Sequence, residues 1–362
     1  MNATSLGRTG SRSTQSCEPM NAIAIGCFGR QSALQPSNSP DPRSMNGPLI
    51  SIIVNVYNGE RYVGDCLDAI RRLQGGFPLQ VIVIDDASSD RTAKIIRRYG
   101  DAGFEIIHLA ENVGAAAAIN HAFMLVRGEF VARIDYDDRY HPNFLVDSVD
   151  ALQRHPDAAF VCAAVRMMDS EGVPNVTTGP ADYGEEPGCR DRFASMLERH
   201  FVAAPTILGR TSHWRRAIPI PTGMNFCDWY MNLAMAETAP VVVIDKIIAD
   251  YRVHPLNMHA TKVFDGMGER VTLQVLDRFL CNSPRRAELA PRASAIMALH
   301  HADWGNKYFG ARMDADASRC YRAALRSDLT QCWKGRFIHR YIGLLVGRRI
   351  YDGVKRLVPR GY

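Results

Sequence analysis

The sequence predicts an α/β domain, a mostly parallel central sheet flanked by helices, followed by a helical C-terminal extension. Three observations carry this. Four short runs rich in β-branched residues alternate with amphipathic stretches between Leu49 and Ile134. About 20–25 residues separate successive runs, the length of a helical crossover that makes neighbouring strands parallel. Aspartates directly follow two of the runs, at the edge where open α/β sheets bind ligands.

Leu49 to Val54 (LISIIV) is continuous and β-branched, as expected of a strand buried on both faces. Glu60 to Leu73 reads as a helix ended by Gly75–Gly76. Gln80 to Ile84 is the second strand, and Asp90 to Tyr99 a helix that Asp90 caps. Glu105 to Leu109, Val113 to Val126 and Phe130 to Ile134 repeat the strand–helix–strand rhythm. Beyond Pro142 the pattern predicts a helix over Asn143 to Arg154, a strand over Ala158 to Met168 and a loop from Gly172 to Gly188. A short helix at Asp191 to Leu197, a helix at Asn225 to Ala236 and a strand at Val241 to Ala249 follow, with helices from Asp265 onwards. The expected domains are a flexible leader (1–47), a catalytic domain (48–264, with nucleotide-binding and acceptor-binding parts meeting at 141/142) and a helical region (265–362).

The chain has 362 residues, 46% hydrophobic and 22% charged, which excludes a wholly disordered chain, collagen-like repeats and a disulfide-stapled mini-protein. The net charge of +5 is uneven: residues 331–362 hold eight Lys or Arg against Asp352 alone, leaving residues 1–330 at −2. A near-neutral body argues against nucleic acid as a partner. Nine cysteines, none at CxxC spacing, predict neither a zinc cluster nor a disulfide framework, and their thiols are expected to be reduced. No apolar run approaches the roughly 18 residues of a membrane span. A cytoplasmic protein is the expectation. In the tail, Trp333, Phe337, Tyr341, Leu344 and Leu345 recur at helical spacing among cations, and Ile350, Val354 and Leu357 continue the stripe. Such a helix either lies peripherally on an anionic membrane, at the inner face of the cell membrane, or packs within the domain or a homodimer.

The chemistry is written in carboxylates. No GxGxxG follows the first strand and no GxxxxGK[ST] occurs. In FVARIDYDDRYHP a strand ends in Asp135, Asp137 and Asp138, three acids that repel one another unless a cation or several donors compensate. Oxygen ligands of this kind suit Mg²⁺ or Mn²⁺, although a solvated turn uses the same residues. In QVIVIDDASSD, Asp85 and Asp86 end the second strand, where an acid accepts hydrogen bonds from a base or a ribose.

In order, VNVYNGERYV, VIVIDDASSDRT, ENVGAAAAINHAF, RGEFVARIDYDD, CDWYMNLAM and YRVHP resemble the family 2 glycosyltransferases of the GT-A fold, from about Pro48 to His259. The resemblance implies inverting transfer from a nucleotide-diphospho-sugar, preferably a UDP-sugar, to a saccharide or lipid-linked acceptor, in polysaccharide or glycolipid biosynthesis. It implies a loop at Val56, Tyr57 and Asn58 bordering the nucleobase, followed by Glu60, with Asp86 on the base and Asn112 and Gly114 lining the nucleotide pocket. It implies Asp135 on the ribose, Asp137 and His254 on the cation (Mn²⁺ or Mg²⁺), and Asp228 as the catalytic base. Asp138, Trp214 and Trp229 are candidates for acceptor or supporting contacts. Two positions depart from the pattern: Cys227 stands where a Glu usually precedes the base, and Ile119 precedes Asn120 where an Arg is usual, so a cationic contact to the donor is either lost or supplied by Arg133 or Arg139. The alternatives are a nucleotidyltransferase acting on a sugar phosphate, which would more naturally carry a Gly-rich basic loop after the first strand, and a catalytically degenerate scaffold, which would lack the metal acid or the base.

Overall fold

The computed structural model describes residues 47–224, 227–255, 257, 265–330 and 337–357. All but the last residue of the expected leader, and residues 331–336 and 358–362 of the basic tail, lie outside them. The described residues belong to one compact unit spanning residues 42–362.

Strands β1 (Ile50–Val56), β2 (Leu79–Asp85), β3 (Glu105–His108) and β4 (Phe130–Asp135) lie parallel in the order β3-β2-β1-β4. Helices α1 (Val63–Arg71), α2 (Thr92–Gly100) and α3 (Ala115–Phe123) make the crossovers. The pleat sorts each strand between two cores. Ile50, Ile52, Val54 and Val56 pack under α1 and α4 (Phe144–Arg154), while Ile53 faces α3 and the other layer. Both faces are therefore apolar, which is why LISIIV reads as a continuous run and not as an alternating one.

The sheet continues as β4-β9-β6-β10-β5 through β5 (Arg139–Tyr140), β6 (Phe160–Met168), β9 (Leu208–Arg210) and β10 (Val241–Arg252). β7 (Pro174–Thr178) adds to β6 and β8 (Gly188–Arg190) to β10. The parallel ladders are the long ones, and the antiparallel ladders hold two or three residue pairs each. The sheet is thus mixed but mostly parallel. The stretch expected to be a loop from Gly172 to Gly188 instead contains β7 and a 3₁₀ turn at Pro180–Tyr183. β7 is almost wholly exposed, so it has no apolar face and no alternation to read.

Helices α5 (Phe193–Glu198), α6 (Thr211–Ala217) and α7 (Cys227–Ala236) cover the face shared with α3. Beyond residue 264 the chain is helical, as expected: α8 (Met267–Leu276), a π turn (Asp277–Cys281), α9 (Arg286–Gly310), α10 (Asp314–Ser327), α11 (Phe337–Val346) and α12 (Arg348–Leu357). Val271, Val275, Leu276, Phe279, Leu289 and Ile296 from this region share the α7 core, so the first helices of the extension are part of the domain's packing. A separate aromatic cluster joins α9, α10 and the tail: Phe337 is buried with its ring 5.4 Å from Tyr321, and Tyr351 meets Phe309 at 5.4 Å.

Candidate active site

The site grows from the carboxyl ends of β1, β2 and β4. After β1 the chain turns through Asn58, at φ 49°, and Gly59, where a Cβ would stand 2.5 Å from the Tyr136 ring. This turn is locked to the β2–α2 loop. Asn58 Oδ1 accepts from the Ser89 N–H at 2.8 Å, and the Gly59 N–H donates to Thr92 Oγ1 at 2.8 Å. Glu60 Oε2 accepts from the Arg91 N–H at 2.9 Å and from its guanidinium at 3.0 Å. These bonds hold residues 58–60 in the turn, and the Tyr62 and Val63 N–H groups both donate to the Gly59 carbonyl, so α1 starts at Val63 and not at Glu60 as the pattern predicts. Tyr57 is half exposed at the rim while Val56 is buried below it.

Asp86 is 4% exposed, and both its oxygens are taken by the loop before α3. Oδ1 accepts from the Val113 N–H at 2.8 Å and Oδ2 from the Gly114 N–H at 2.9 Å, while Asn112 Nδ2 donates to the Asp86 carbonyl at 3.2 Å. Asp86, Asn112 and Gly114 are therefore one structure, a clamp that ties the end of β2 to the start of α3. Asp85 points elsewhere, accepting from the Ser88 N–H at 3.1 Å and contacting His108 Nδ1 at 3.0 Å.

Arg133 is the centre of a second cluster at this edge. The pleat of β4 turns it to the face that carries α7, and it is 4% exposed. Its guanidinium donates to Asn55 Oδ1 at 3.0 Å, to Asp135 Oδ1 at 2.7 Å and to Asp228 Oδ1. One cation thus joins Asp135 and Asp228, acids 93 positions apart in the chain. Asp228 sits in the first turn of α7 with about a quarter of its side chain exposed, so it is both held and accessible. The neighbouring Cys227 thiol is pushed up to about 12 by burial and by Asp228, so it stays neutral where the family pattern has a carboxylate.

Asp137 Oδ2 meets His254 Nε2 at 2.9 Å and Asn257 Nδ2 at 3.4 Å. Burial, then Asp135, push its carboxyl up, and the His254 hydrogen bond opposes them. Asp138 is buried, with Oδ1 accepting from the Arg252 N–H at 2.8 Å and Oδ2 without a partner among the described residues. Burial, Asp137 and Asp135 push it well above the usual carboxylate range. Asp135 and Asp137 crowd negative charge that a cation would relieve, and the Asp137 carboxylate and the His254 imidazole lie side by side as one oxygen and one nitrogen ligand of the kinds such an ion takes. The residues fit a divalent cation.

Several expectations need correction. Trp214 is 1% exposed and donates to the Val131 carbonyl at 3.1 Å, and Trp229 donates to the Met196 carbonyl at 2.8 Å from the α5–α7 core. Both indoles fill the core and bury their N–H on backbone, so neither meets an acceptor. Asp138 supports β10 from inside and does not face the cleft. Neither proposed arginine reaches outward to the donor: Arg133 is committed as above, and Arg139 pairs with Asp65 at 3.0 Å and donates to the Gly172 carbonyl at 3.2 Å. Residues missed by the sequence reading include Arg133 as a bridge, Asn257 and Arg252. Arg252 is 3% exposed at its side chain, donates to the Asp137 carbonyl at 2.8 Å and to Asp65 at 2.7 Å, and lies over the Tyr62 ring. The available signals were an Arg inside a buried strand (FVARID) and the Arg of YRVHP. Among the described residues the group of three close metal-type ligands is His155, Asp157 and Cys189, which could hold an ion and lies outside this site.

Residues 51–206 match the family described as Glycosyl transferase family 2. An uncharacterized protein of Mycobacterium tuberculosis is 27% identical over 209 residues, 57% of this chain and 59% of the relative, so the chain spans about 59% of the length of the curated relatives it matches first. An uncharacterized glycosyltransferase of Rickettsia typhi is 33% identical over 108 residues, 30% of this chain and 33% of that one. In fold the chain is similar to a mannosyltransferase of Pyrobaculum calidifontis solved with GDP-Man and Mn²⁺, with TM-score 0.56, 19% identity and coverage of 90% of this chain and 92% of that one. It is also similar to S. aureus TarS 1-349 solved with UDP-GlcNAc, with TM-score 0.51, 18% identity and coverage of 78% and 92%. The strand order, the carboxylates at the sheet edge and the family match agree: residues 51–206 carry a family 2 glycosyltransferase domain, and the fold is GT-A-like.

Proposed function

We propose that the protein transfers a sugar, with inversion, from a nucleotide-diphospho-sugar (a UDP-sugar by preference) to a hydroxyl of a saccharide or lipid-linked acceptor in polysaccharide or glycolipid assembly. The observation that carries this is the Arg133 bridge, which brings the nucleotide-side acid Asp135 and the partly exposed acid Asp228 together. Asp228 takes the proton of the attacking hydroxyl. Arg133 holds that carboxylate in place, and Asp135 accepts from the ribose. The Asp86 clamp shapes the wall against which the base lies. Asp137 and His254 would hold Mn²⁺ or Mg²⁺, which when bound neutralises charge on the diphosphate leaving group. The test is a panel of nucleotide sugars assayed with Mn²⁺ or Mg²⁺ for slow hydrolysis and thermal stabilisation of the full chain. One donor should register, and Asp137→Ala or chelation should remove its turnover. Response to no nucleotide sugar, or full activity of D137A under chelator, overturns the reading.

The tail supports a peripheral site of action at the inner face of the cell membrane. Phe337 and Tyr351 anchor it to α9 and α10, while Ile342, Leu345, Val346 and Ile350 are each at least half exposed. A cavity of about 350 Å³ between α9 and the tail is lined by Arg312, Arg340 and Arg348 together with Phe309, Tyr351 and Asp352. Outward-turned apolar residues with the exposed Arg349 next to Ile350 match the surface of an anionic bilayer. No described helix is long and apolar enough to cross a membrane.

A further inference from the structure

We propose that His155, Asp157 and Cys189 form a zinc site that clamps the amino edge of the sheet. Their ligand atoms all lie within 4.8 Å of one another. The spacing of the cysteines predicts no such site, because Cys189 is 34 residues from His155 and the ligands come together through the sheet. His155 follows the last turn of α4, and Cys189 lies in β8 opposite Val242 of β10.

The backbone that carries the ligands is already held. The His155 N–H donates to the Ala151 carbonyl at 3.2 Å, and Arg210 reaches the carbonyls of Leu152, His155 and Ala158 at 2.7, 3.3 and 3.0 Å. The Ala159 N–H donates to the Pro240 carbonyl at 2.9 Å, just before β10. Closing three side chains on an ion therefore costs rotamer freedom and little backbone ordering. The ring of His141 and that of His108 are by contrast engaged by Asp250 and Asp85.

The donor set chooses the ion. An imidazole nitrogen, a thiolate and a carboxylate oxygen suit Zn²⁺ in tetrahedral geometry, with water in the fourth position. Mg²⁺ and Mn²⁺ prefer oxygen ligands. Position separates the site from the catalytic one. Cys189 pairs beside Val242 near the start of β10, whereas Asp138 bonds the Arg252 N–H at its end; the register sets these points seven residues apart along β6, about 23 Å at the rise of a strand. An ion here cannot touch a diphosphate at Asp137. It ties the α4–β6 turn to β8, a three-residue strand on the sheet margin.

The test uses the full chain, stripped with chelator, and Co²⁺ as a visible substitute for Zn²⁺. The wild type should show a thiolate-to-cobalt charge-transfer band that one equivalent of Zn²⁺ removes. Asp137→Ala should keep the band and Cys189→Ser should lose it. His155→Ala should weaken Co²⁺ binding by roughly tenfold or more, the least expected for a lost ligand. Zn²⁺ should also raise the unfolding temperature of the wild type and of D137A, but not of H155A, which keeps the comparison open if C189S does not fold. Absence of the band in the wild type, its survival in C189S, or equal Zn²⁺ stabilisation of H155A overturns the proposal.

Discussion

Asp86→Asn separates two roles that sequence reasoning gives to one acid. In the structure both carboxylate oxygens accept backbone N–H groups, from Val113 at 2.8 Å and Gly114 at 2.9 Å. Asparagine keeps one acceptor and turns an NH₂ towards the other N–H, so one bond is lost and the second loses its charge assistance. Hydrogen bonds to charged groups contribute about 1.5–3 kcal/mol each. Val113 is 37% exposed, so water recovers part of the loss. The net cost should be about 1–3 kcal/mol, or a fall in Tm of roughly 2–10 °C for a domain of this size. Because the freed loop carries Asn112 and Gly114, UDP affinity should fall by roughly tenfold as well, equivalent to about 1.4 kcal/mol. Thermal unfolding and calorimetric UDP binding on the same preparation measure both. An unchanged Tm with lost UDP binding would refute the clamp and leave Asp86 as a base contact alone. A lowered Tm with unchanged UDP binding would remove this loop from the nucleotide pocket.

Asp228→Asn should lower kcat by roughly 10²–10⁴ while donor affinity stays within a few fold, and the reverse pattern in steady-state kinetics would make Asp228 a binding residue. Asp250 is a structural counterpart: burial would raise its carboxyl, but hydrogen bonds from His141 and Arg166 hold it at about 2. Its folded value lies below the ordinary 3.8, so the ionised form stabilises the fold above about pH 4 and that contribution disappears as pH falls to about 2. Asp250→Asn should therefore cost about 1–2 kcal/mol near neutral pH after solvent screening, with the gap to wild type closing across that window in urea titrations. The full chain should sediment with anionic and not with neutral vesicles, less so at high salt, and Leu345→Asp with Ile350→Asp should release it. Sedimentation unchanged by the two aspartates would refute the membrane-facing tail.

The order of elements and the acids at the sheet edge were legible because both are local. A strand buried on two faces must be a β-branched run, a crossover must have its length, and an acid after a strand lands at the carboxyl edge whatever the rest of the chain does. The partners of those acids were not local. Arg133 looked like a spare cation, yet the pleat of β4 and the docking of α7 make it the bridge between Asp135 and Asp228. Trp214 and Trp229 carried an aromatic signal equally compatible with a cleft or a core, and packing put both in the core. β7 left no trace because an exposed edge strand has no apolar face to alternate. His155 and Cys189 meet because β8 pairs with β10, and the hydrogen-bond register that brings them together is a property of the assembled sheet. Local composition determines which residues can do chemistry, whereas long-range pairing and burial decide which of them face one another.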